Sequence, residues 1–150
     1  MRAVVQRVSS ASVRAESGHF DEMGRGMVIL LGIEEEDGED DLQWLAGKIC
    51  RLRIFNDDRG VMNHSLQEDG GRCMVISQFT LHASTKKGNR PSWIRAAQPD
   101  RAKPLYLRFI DRLEQELRMP VISGVFGDHM DITLVNDGPV TLIIDSKLRE

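Results

Sequence analysis

Met27-Val28-Ile29-Leu30-Leu31-Gly32-Ile33 is the stretch that decides the fold of this 150-residue chain. An apolar run of this length, without polar alternation, indicates a strand buried on both faces. The run is far shorter than the roughly 20 residues that span a lipid bilayer, so it does not predict a membrane segment. The chain therefore needs other elements to cover both sides of this strand.

Two amphipathic helices are predicted on the C-terminal side of the strand. The first follows Asp40 and Asp41, because apolar residues from Leu42 to Leu52 recur with a helical period. Acids before this helix and bases at its end match the direction of the helix dipole. A second helix is predicted from Arg101 to Arg118, with Pro104 in its first turn and Pro120 beyond its end.

Short apolar segments elsewhere predict further strands. They are Ala3–Val8, a hairpin of Ser12–Arg14 and His19–Met23, a central strand Cys73–Phe79, and then Val121–Phe126, Asp131–Val135 and Val140–Asp145. No repeat or linker divides the chain, so residues 1–150 are predicted to form one domain. The order of elements predicts an α/β fold of the α+β type, with a mixed sheet and its helices on one side.

The composition excludes several classes of protein. Apolar residues make up 41% and charged residues 29% of the chain, which is typical of a globular domain and not of a disordered, collagen-like or membrane protein. The N-terminal residues do not form a signal peptide, so we expect a cytoplasmic protein. Cys50 and Cys73 are not part of a CxxC motif, and the histidines lack metal-ligand spacing. We therefore expect no metal and no cofactor.

Charge is distributed unevenly along the chain. The formal net charge is −3, but seven acids and no base lie between Glu34 and Asp41. Between His82 and Arg108 there are seven bases and one acid. This basic stretch can contact phosphates even though the whole protein is acidic. A solvated loop and helix face explains the same pattern, and charge alone does not decide between the two.

The sequence contains no standard catalytic motif. There is no GxGxxG, P-loop or GxSxG pattern, and Ser77 with His82 is poor support for a nucleophile–base pair. If the protein is an enzyme, we expect positioning and backbone dipoles to carry its activity. Two unusual segments remain. Ser77-Gln78-Phe79-Thr80-Leu81 is either a cleft edge or an ordinary strand end, and Asn136-Asp137-Gly138-Pro139 is a strong turn signal.

Taken together, these segments resemble the D-aminoacyl-tRNA deacylase family, of the D-Tyr-tRNA(Tyr) deacylase type. The similarity extends from end to end, and its two central motifs lie about 60 residues apart in the expected order. The segments that carry it are Met1–Val8, Gly24–Gly26, Leu52–Phe55, Met62-Asn63, Ser77–Leu81, Lys87–Ser92 and Leu134–Thr141. The resemblance implies a three-layer β/β/α fold and a homodimeric hydrolase without a cofactor.

The implied reaction is hydrolysis of the ester that links a D-amino acid, or glycine mischarged on tRNA(Ala), to tRNA. The resemblance assigns an oxyanion hole to backbone N–H groups near Gln78, Phe79 and Thr80, assisted by the ribose 2′-hydroxyl of the substrate. Ser77 and Thr80 hydroxyls would then orient the substrate, and direct attack by Thr80 is the alternative.

Selection against L-amino acids is assigned, by the same resemblance, to a cis Gly138-Pro139 motif. One subunit would present this motif to the active site of the other, and Arg7 would hold it in place. Met130 is expected to line the adenosine pocket. The nearby Asp128, where a small residue is expected, and Trp93, where Phe is commoner, are departures from the family pattern.

The resemblance also suggests that the basic stretch contacts tRNA. The candidate residues are Lys86, Lys87, Arg90 and Arg95. Two other functions remain open from the residues themselves. One is an RNA-binding module without catalytic activity, and the other is a hydrolase of different small esters.

Overall fold

The computed structural model describes residues 1–149, which form eight strands and three α-helices. The strands are β1 (Arg2–Ala15), β2 (Phe20–Met23), β3 (Gly26–Gly32), β4 (Phe55–Asn56), β5 (Met62–His64), β6 (Arg72–Ser77), β7 (Ile122–Ser123) and β8 (Met130–Asp145). The helices are α1 (Glu39–Cys50), α2 (Leu66–Asp69) and α3 (Pro99–Leu117), and a single 3₁₀ turn spans Phe79–His82. Every helix within residues 1–149 is too short or too polar to cross a lipid bilayer.

The main sheet is mixed, as predicted. Its order is β2-β1-β3-β6-β7, with β8 paired to β1. The β1 strand is antiparallel to β2, β3 and β8, whereas β3, β6 and β7 run parallel to one another. Parallel pairing places the carboxyl ends of these last three strands at one edge of the sheet.

The side chains of β3 alternate between two hydrophobic cores. Met27, Ile29 and Leu31 point into the core that contains α1 and α3. Val28 and Leu30 point into a second core, which the C-terminal half of β1 and the first half of β8 complete. The buried run is therefore covered on both faces, and the predicted three-layer β/β/α arrangement with helices on one side is confirmed.

The first strand contributes to both cores because it is irregular in its middle. Ala3 and Val5 belong to the helical core, whereas Val8 and Ala11 belong to the second core. Between these pairs the register of β1 against β8 shifts, and Arg7 lies at the shift. The predicted strands Ala3–Val8 and Ser12–Arg14 are thus parts of one long strand.

Two further predicted strands, and the separation of the last two, differ from the observed structure. The strand expected at Cys73–Phe79 ends at Ser77 and continues into the 3₁₀ turn, and the strand expected at Val121–Phe126 is only β7. The two strands expected on either side of Asn136–Thr141 are joined into one strand, β8. Within it Asn136 pairs with Val8 and Thr141 with Gln6, so residues 137–140 have no partner in β1 and bulge out opposite Arg7 as the Gly138 loop.

Candidate active site

A cavity of about 520 Å³ lies at the edge of the sheet where the parallel strands end. Leu31 of β3 and Ser77 of β6 are directly paired there, and both line the cavity. The segment that follows β7 forms another wall through residues 126–130. Ligands of open α/β sheets commonly bind beyond the carboxyl ends of parallel strands, so this is the candidate active site.

The backbone after Ser77 leaves two hydrogen-bond donors free at this site. The Gln78 N–H donates to the Leu31 carbonyl over 2.8 Å, which ties the end of β6 to β3. Phe79 and Thr80 begin the 3₁₀ turn, and the first residues of a helical turn have no internal partner for their N–H groups. Neither amide donates to another group within residues 1–149.

Ser77, Gln78 and Phe79 all line the cavity, and Thr80 is tied to them by its side chain. The Gln78 side-chain amide donates to the Thr80 hydroxyl oxygen. Of the free donors expected from the resemblance, Phe79 and Thr80 are therefore available, whereas the Gln78 N–H is engaged in the fold.

Aromatic and thioether side chains form the opposite walls. Phe79 and Trp93 pack edge to face, with ring centroids 5.4 Å apart and an interplanar angle of 78°. Met130 lines the cavity from the first residue of β8. Asp128 also lines it, and the Asp128 carboxylate accepts hydrogen bonds from the Ser17 and His129 N–H groups. Hydrogen bonding from the Ser17 side chain first, and then from the Ser17 and His129 N–H groups, holds the pKa of Asp128 below its usual value.

Gly138 and Pro139 do not line the cavity of their own chain. They are exposed on β8, at the point where the pairing with β1 is interrupted, and the peptide bond between them is cis. Within residues 1–149 the β8 strand pairs with β1 alone, so its other side is a sheet edge. Val135 and Ile143 on this strand are 55% and 73% exposed, beside exposed polar residues such as Thr133 and Thr141.

Arg7 holds this segment from beneath. The Arg7 side chain is buried, and its guanidinium donates to the Asp137 carbonyl over 3.2 Å and to the Ile54 carbonyl over 2.7 Å. It also donates to the Asn56 side chain over 3.2 Å. Arg7 thus joins β1, the segment around β4 and the Gly138 loop. The sequence alone gave no signal for Ile54 or Asn56, because these contacts are long-range and one of them uses a backbone atom.

The four basic candidates for tRNA contact fall into two groups. Lys86, Lys87 and Arg90 are exposed and make no ion pair within residues 1–149. Arg95, in contrast, forms an ion pair with Glu34. Only the first three side chains are therefore fully available to phosphates.

A conventional nucleophile–base pair is not found in the described part of the chain. His82 Nδ1 lies 2.7 Å from Glu34 Oε1, so the ring of His82 is engaged with Glu34 and not with Ser77. Within residues 1–149, no three His, Cys, Asp or Glu side chains are grouped as metal ligands. A cavity with free backbone donors can bind a developing oxyanion through main-chain N–H groups, which is an arrangement that some classes of hydrolase use.

Comparisons with known proteins identify the family to which this chain is similar. Residues 4–145 match the family model described as D-Tyr-tRNA(Tyr) deacylase. The D-aminoacyl-tRNA deacylase of Bacteroides thetaiotaomicron is 57% identical over 150 residues, which cover 100% of both chains. That of Christiangramia forsetii is 58% identical over 147 residues, which cover 98% of both.

Two solved structures share the fold. A c-Myc DNA unwinding element binding protein is 36% identical with a TM-score of 0.90, over 97% of this chain and 98% of that one. A probable eukaryotic D-amino acid tRNA deacylase is 19% identical with a TM-score of 0.80, over 96% and 98% of the two chains, and this likeness shows the fold alone. The chain belongs to the D-Tyr-tRNA(Tyr) deacylase family and is a hydrolase that acts on the ester bonds of aminoacyl-tRNA.

Proposed function

We propose that two copies of this chain form a homodimer that proofreads chirality, in which each cavity is completed by Gly138 and Pro139 of the other copy. The observation that carries the proposal is the separation of these residues from the cavity of their own chain. They are exposed on an unpaired sheet edge that also exposes the apolar side chains of Val135 and Ile143, which is the kind of surface that a second copy covers. A two-fold interface would exchange the two segments reciprocally.

In the proposed reaction, the ester carbonyl oxygen is bound by the free N–H groups of Phe79 and Thr80. Water attacks the carbonyl carbon, and the 2′-hydroxyl of the terminal adenosine helps to activate it. The bond to the ribose oxygen then breaks, that oxygen takes up the proton, and free tRNA and the free amino acid result. An aminoacyl ester is already reactive, so moderate stabilisation of the oxyanion is sufficient.

The hydroxyl groups of Ser77 and Thr80 orient the substrate in this mechanism. The Thr80 hydroxyl accepts a hydrogen bond from the Gln78 side-chain amide, and within residues 1–149 no basic side chain is hydrogen-bonded to this hydroxyl to take up its proton. The contact therefore favours a positioning role for Thr80 over direct attack.

Stereochemical selection follows from the main-chain carbonyl groups of Gly138 and Pro139. In the proposed complex they accept hydrogen bonds from the α-ammonium group of the substrate and so fix its α-carbon. An L side chain would then collide with the carbonyl wall, whereas a D side chain would point out of the cavity. Glycine has no β-carbon, so glycyl-tRNA, including glycine mischarged on tRNA(Ala), is accepted as well.

We propose that the side chains of Lys86, Lys87 and Arg90 contact phosphates of the tRNA backbone. Arg95 makes a weaker contact, because Glu34 competes with the phosphates for its side chain. Met130 contacts the terminal adenosine at the opposite wall of the cavity. Charged tRNA is made and used in the cytoplasm, which is where we place the protein.

Hydrolysis of D-Tyr-tRNA, L-Tyr-tRNA and Gly-tRNA(Ala) by the purified protein tests this function. We expect rapid loss of the D-Tyr and glycyl esters, and a clash of about 3 kcal/mol would slow the L-ester roughly a hundredfold. Loss of both tyrosyl esters at similar rates would overturn chiral selection and indicate a less specific esterase. Binding without turnover would instead indicate an RNA-binding module.

A further inference from the structure

Glu34 contacts two segments that both contribute residues to the candidate active site. On one side it contacts His82, the last residue of the 3₁₀ turn that begins with the free N–H groups. On the other side it pairs with Arg95, which lies two residues after Trp93. The Glu34 side chain is only 13% exposed and His82 is buried, so the contact between them is shielded from water, whereas Arg95 is largely exposed.

The contact with His82 compensates the burial of a polar ring. His82 is 1% exposed, and neither of its ring nitrogens makes an aligned hydrogen bond within residues 1–149. The Glu34 carboxylate beside Nδ1, at 2.7 Å, is therefore the polar group that offsets desolvation of the imidazole. Removing the carboxylate would leave the ring buried without a polar neighbour on that side.

The backbone around Glu34 connects the same segments. Residue 34 forms an isolated bridge with Ala96, and the Ala97 N–H donates to the Ile33 carbonyl over 2.9 Å. Gly32 provides the space for the imidazole, since a Cβ atom there would lie 2.9 Å from His82 Cδ2 and 3.0 Å from Leu81 Cβ. The end of β3 is thus shaped to hold the 3₁₀ turn through His82.

We propose that Glu34 and His82 are positioning residues that fix the N–H groups of Phe79 and Thr80 for the reaction. The inference rests on the oxyanion role given to these amides above. His82 is two residues after Thr80 in the same short turn, so a shift of its ring moves the donors. A misplacement of about 1 Å in an active site can lower the rate about a hundredfold.

Kinetics with D-Tyr-tRNA test the pair. We expect Glu34→Ala and His82→Ala each to lower kcat about ten- to a hundredfold, while KM stays within about twofold. Glu34→Gln keeps an acceptor beside the ring and should recover kcat to within about threefold of the native enzyme. The double variant should be no slower than the slower single variant, because residues that act as a unit are not additive. Glu36→Ala is the matched control, since this neighbouring side chain is exposed and makes no ion pair within residues 1–149.

A second variant tests the same inference without removing the Glu34 or His82 side chain. Gly32→Ala displaces His82 without changing any charge, and Gly24→Ala is its control because a Cβ atom at Gly24 meets nothing within 4 Å. The first should lower kcat, and amide hydrogen exchange should become faster at Leu81 and Ala83, whose N–H groups are hydrogen-bonded to Gln78 and Thr80 in the turn, while the control changes neither.

The outcomes separate this inference from the proposed function. A native enzyme that fails to hydrolyse D-Tyr-tRNA would refute the proposed function itself. An active enzyme whose kcat is unchanged in the folded Glu34→Ala and His82→Ala variants, or whose losses multiply in the double variant, would overturn the positioning role alone.

Discussion

Two features of position 138 exclude a residue with a Cβ atom. Its φ of +127° lies in the region that residues with a Cβ atom rarely adopt. A Cβ atom would also lie 3.0 Å from Arg7 Nη2 and 3.0 Å from Val140 Cγ2. Because Arg7 is buried and bonded to three other groups, it cannot move away freely. Both the backbone and the packing therefore require glycine here.

We predict that Gly138→Ala lowers kcat/KM for D-Tyr-tRNA at least about tenfold, since the displaced segment no longer fits the substrate. The control is Gly60→Ala, which has a similarly positive φ of +77° but nothing within 4 Å of the added Cβ. Thermal unfolding of both variants separates backbone strain from function. Equal activity of the Gly138→Ala and native enzymes would contradict the assigned role.

At the scale of elements, α1 is joined to the C-terminal segment through Asp41. The carboxylate accepts hydrogen bonds from Ser146 Oγ at 2.7 Å, Lys147 Nζ at 2.8 Å and the Gly38 N–H at 3.0 Å. Burial by itself would raise the pKa of Asp41, but these bonds outweigh it and lower the pKa to about 2. The folded protein therefore binds this proton less readily than the unfolded chain does.

The lowered pKa of Asp41 makes stability depend on pH. Its contribution is fully present above the unfolded pKa near 4, and it is lost as the pH falls through the folded value near 2. We expect Asp41→Asn to lower the free energy of unfolding by about 2 kcal/mol at pH 7, and the difference to shrink below pH 4. Urea denaturation of the native protein and the variant at pH 7 and at a pH below 4 measures this difference in the free energy of unfolding. Asp40→Asn, at the exposed neighbouring residue, is the control and should lower the free energy of unfolding by less than about 1 kcal/mol. A pH-independent effect of Asp41→Asn would refute the interpretation.

Elements with strong local patterns could be predicted from the sequence, and those that depend on distant partners could not. The apolar periodicity of α1 and α3 and the unbroken run of β3 are local signals, and all three elements were predicted. In contrast, the turn signal at Asn136–Pro139 did not show that one strand, β8, pairs with β1 on both sides of this segment, because that pairing is a contact between distant parts of the chain.

In the candidate site, too, some features have a local signal in the sequence and others depend on distant partners. The sudden change from apolar to polar residues at Ser77 is a local signal in the sequence, and this segment does form one wall of the cavity. The partners that hold this wall, Glu34 and Leu31, come from β3 and the loop after it, and contribute partly through backbone atoms. A sequence pattern cannot display such contacts, because neither spacing nor residue type changes where they form.

Across the whole molecule, the acidic and basic stretches of the sequence partly neutralise each other. The acidic stretch pairs with the basic one through Glu34–Arg95, Glu35–Arg101 and Glu39–Arg108. The net positive charge that remains is concentrated at the exposed residues Lys86, Lys87 and Arg90. Attraction of an anionic polymer to an acidic protein is therefore localised at one loop.

We predict that a Lys86→Ala, Lys87→Ala double variant binds uncharged tRNA more weakly and with a smaller dependence on salt. Each lost phosphate contact should reduce the slope of log K against log salt concentration by about 0.7 to 0.9. Filter binding between about 50 and 200 mM salt measures the slope. Arg59→Ala removes an exposed base elsewhere and is the control. An unchanged slope in the double variant would exclude this loop from the tRNA interface.

The proposed dimer makes a stronger prediction, because each active site would combine residues of two chains. Phe79→Pro deletes one free N–H donor, whereas Phe79→Leu retains it as a control. Loss of an oxyanion donor lowers kcat by about 10² to 10³, so the Phe79→Pro homodimer should be nearly inactive. The Gly138→Ala homodimer is impaired through the other half of the site.

A heterodimer of these two variants would then contain one site with both halves intact and one with both halves altered. Co-expression with two different affinity tags and purification through both isolates this species. Because a two-fold dimer has two equivalent sites, we expect about half of the native activity, far above that of either homodimer. Failure of the two tagged chains to purify together would contradict dimerisation. A heterodimer as inactive as its parents would show that Gly138 and Phe79 act within the same chain.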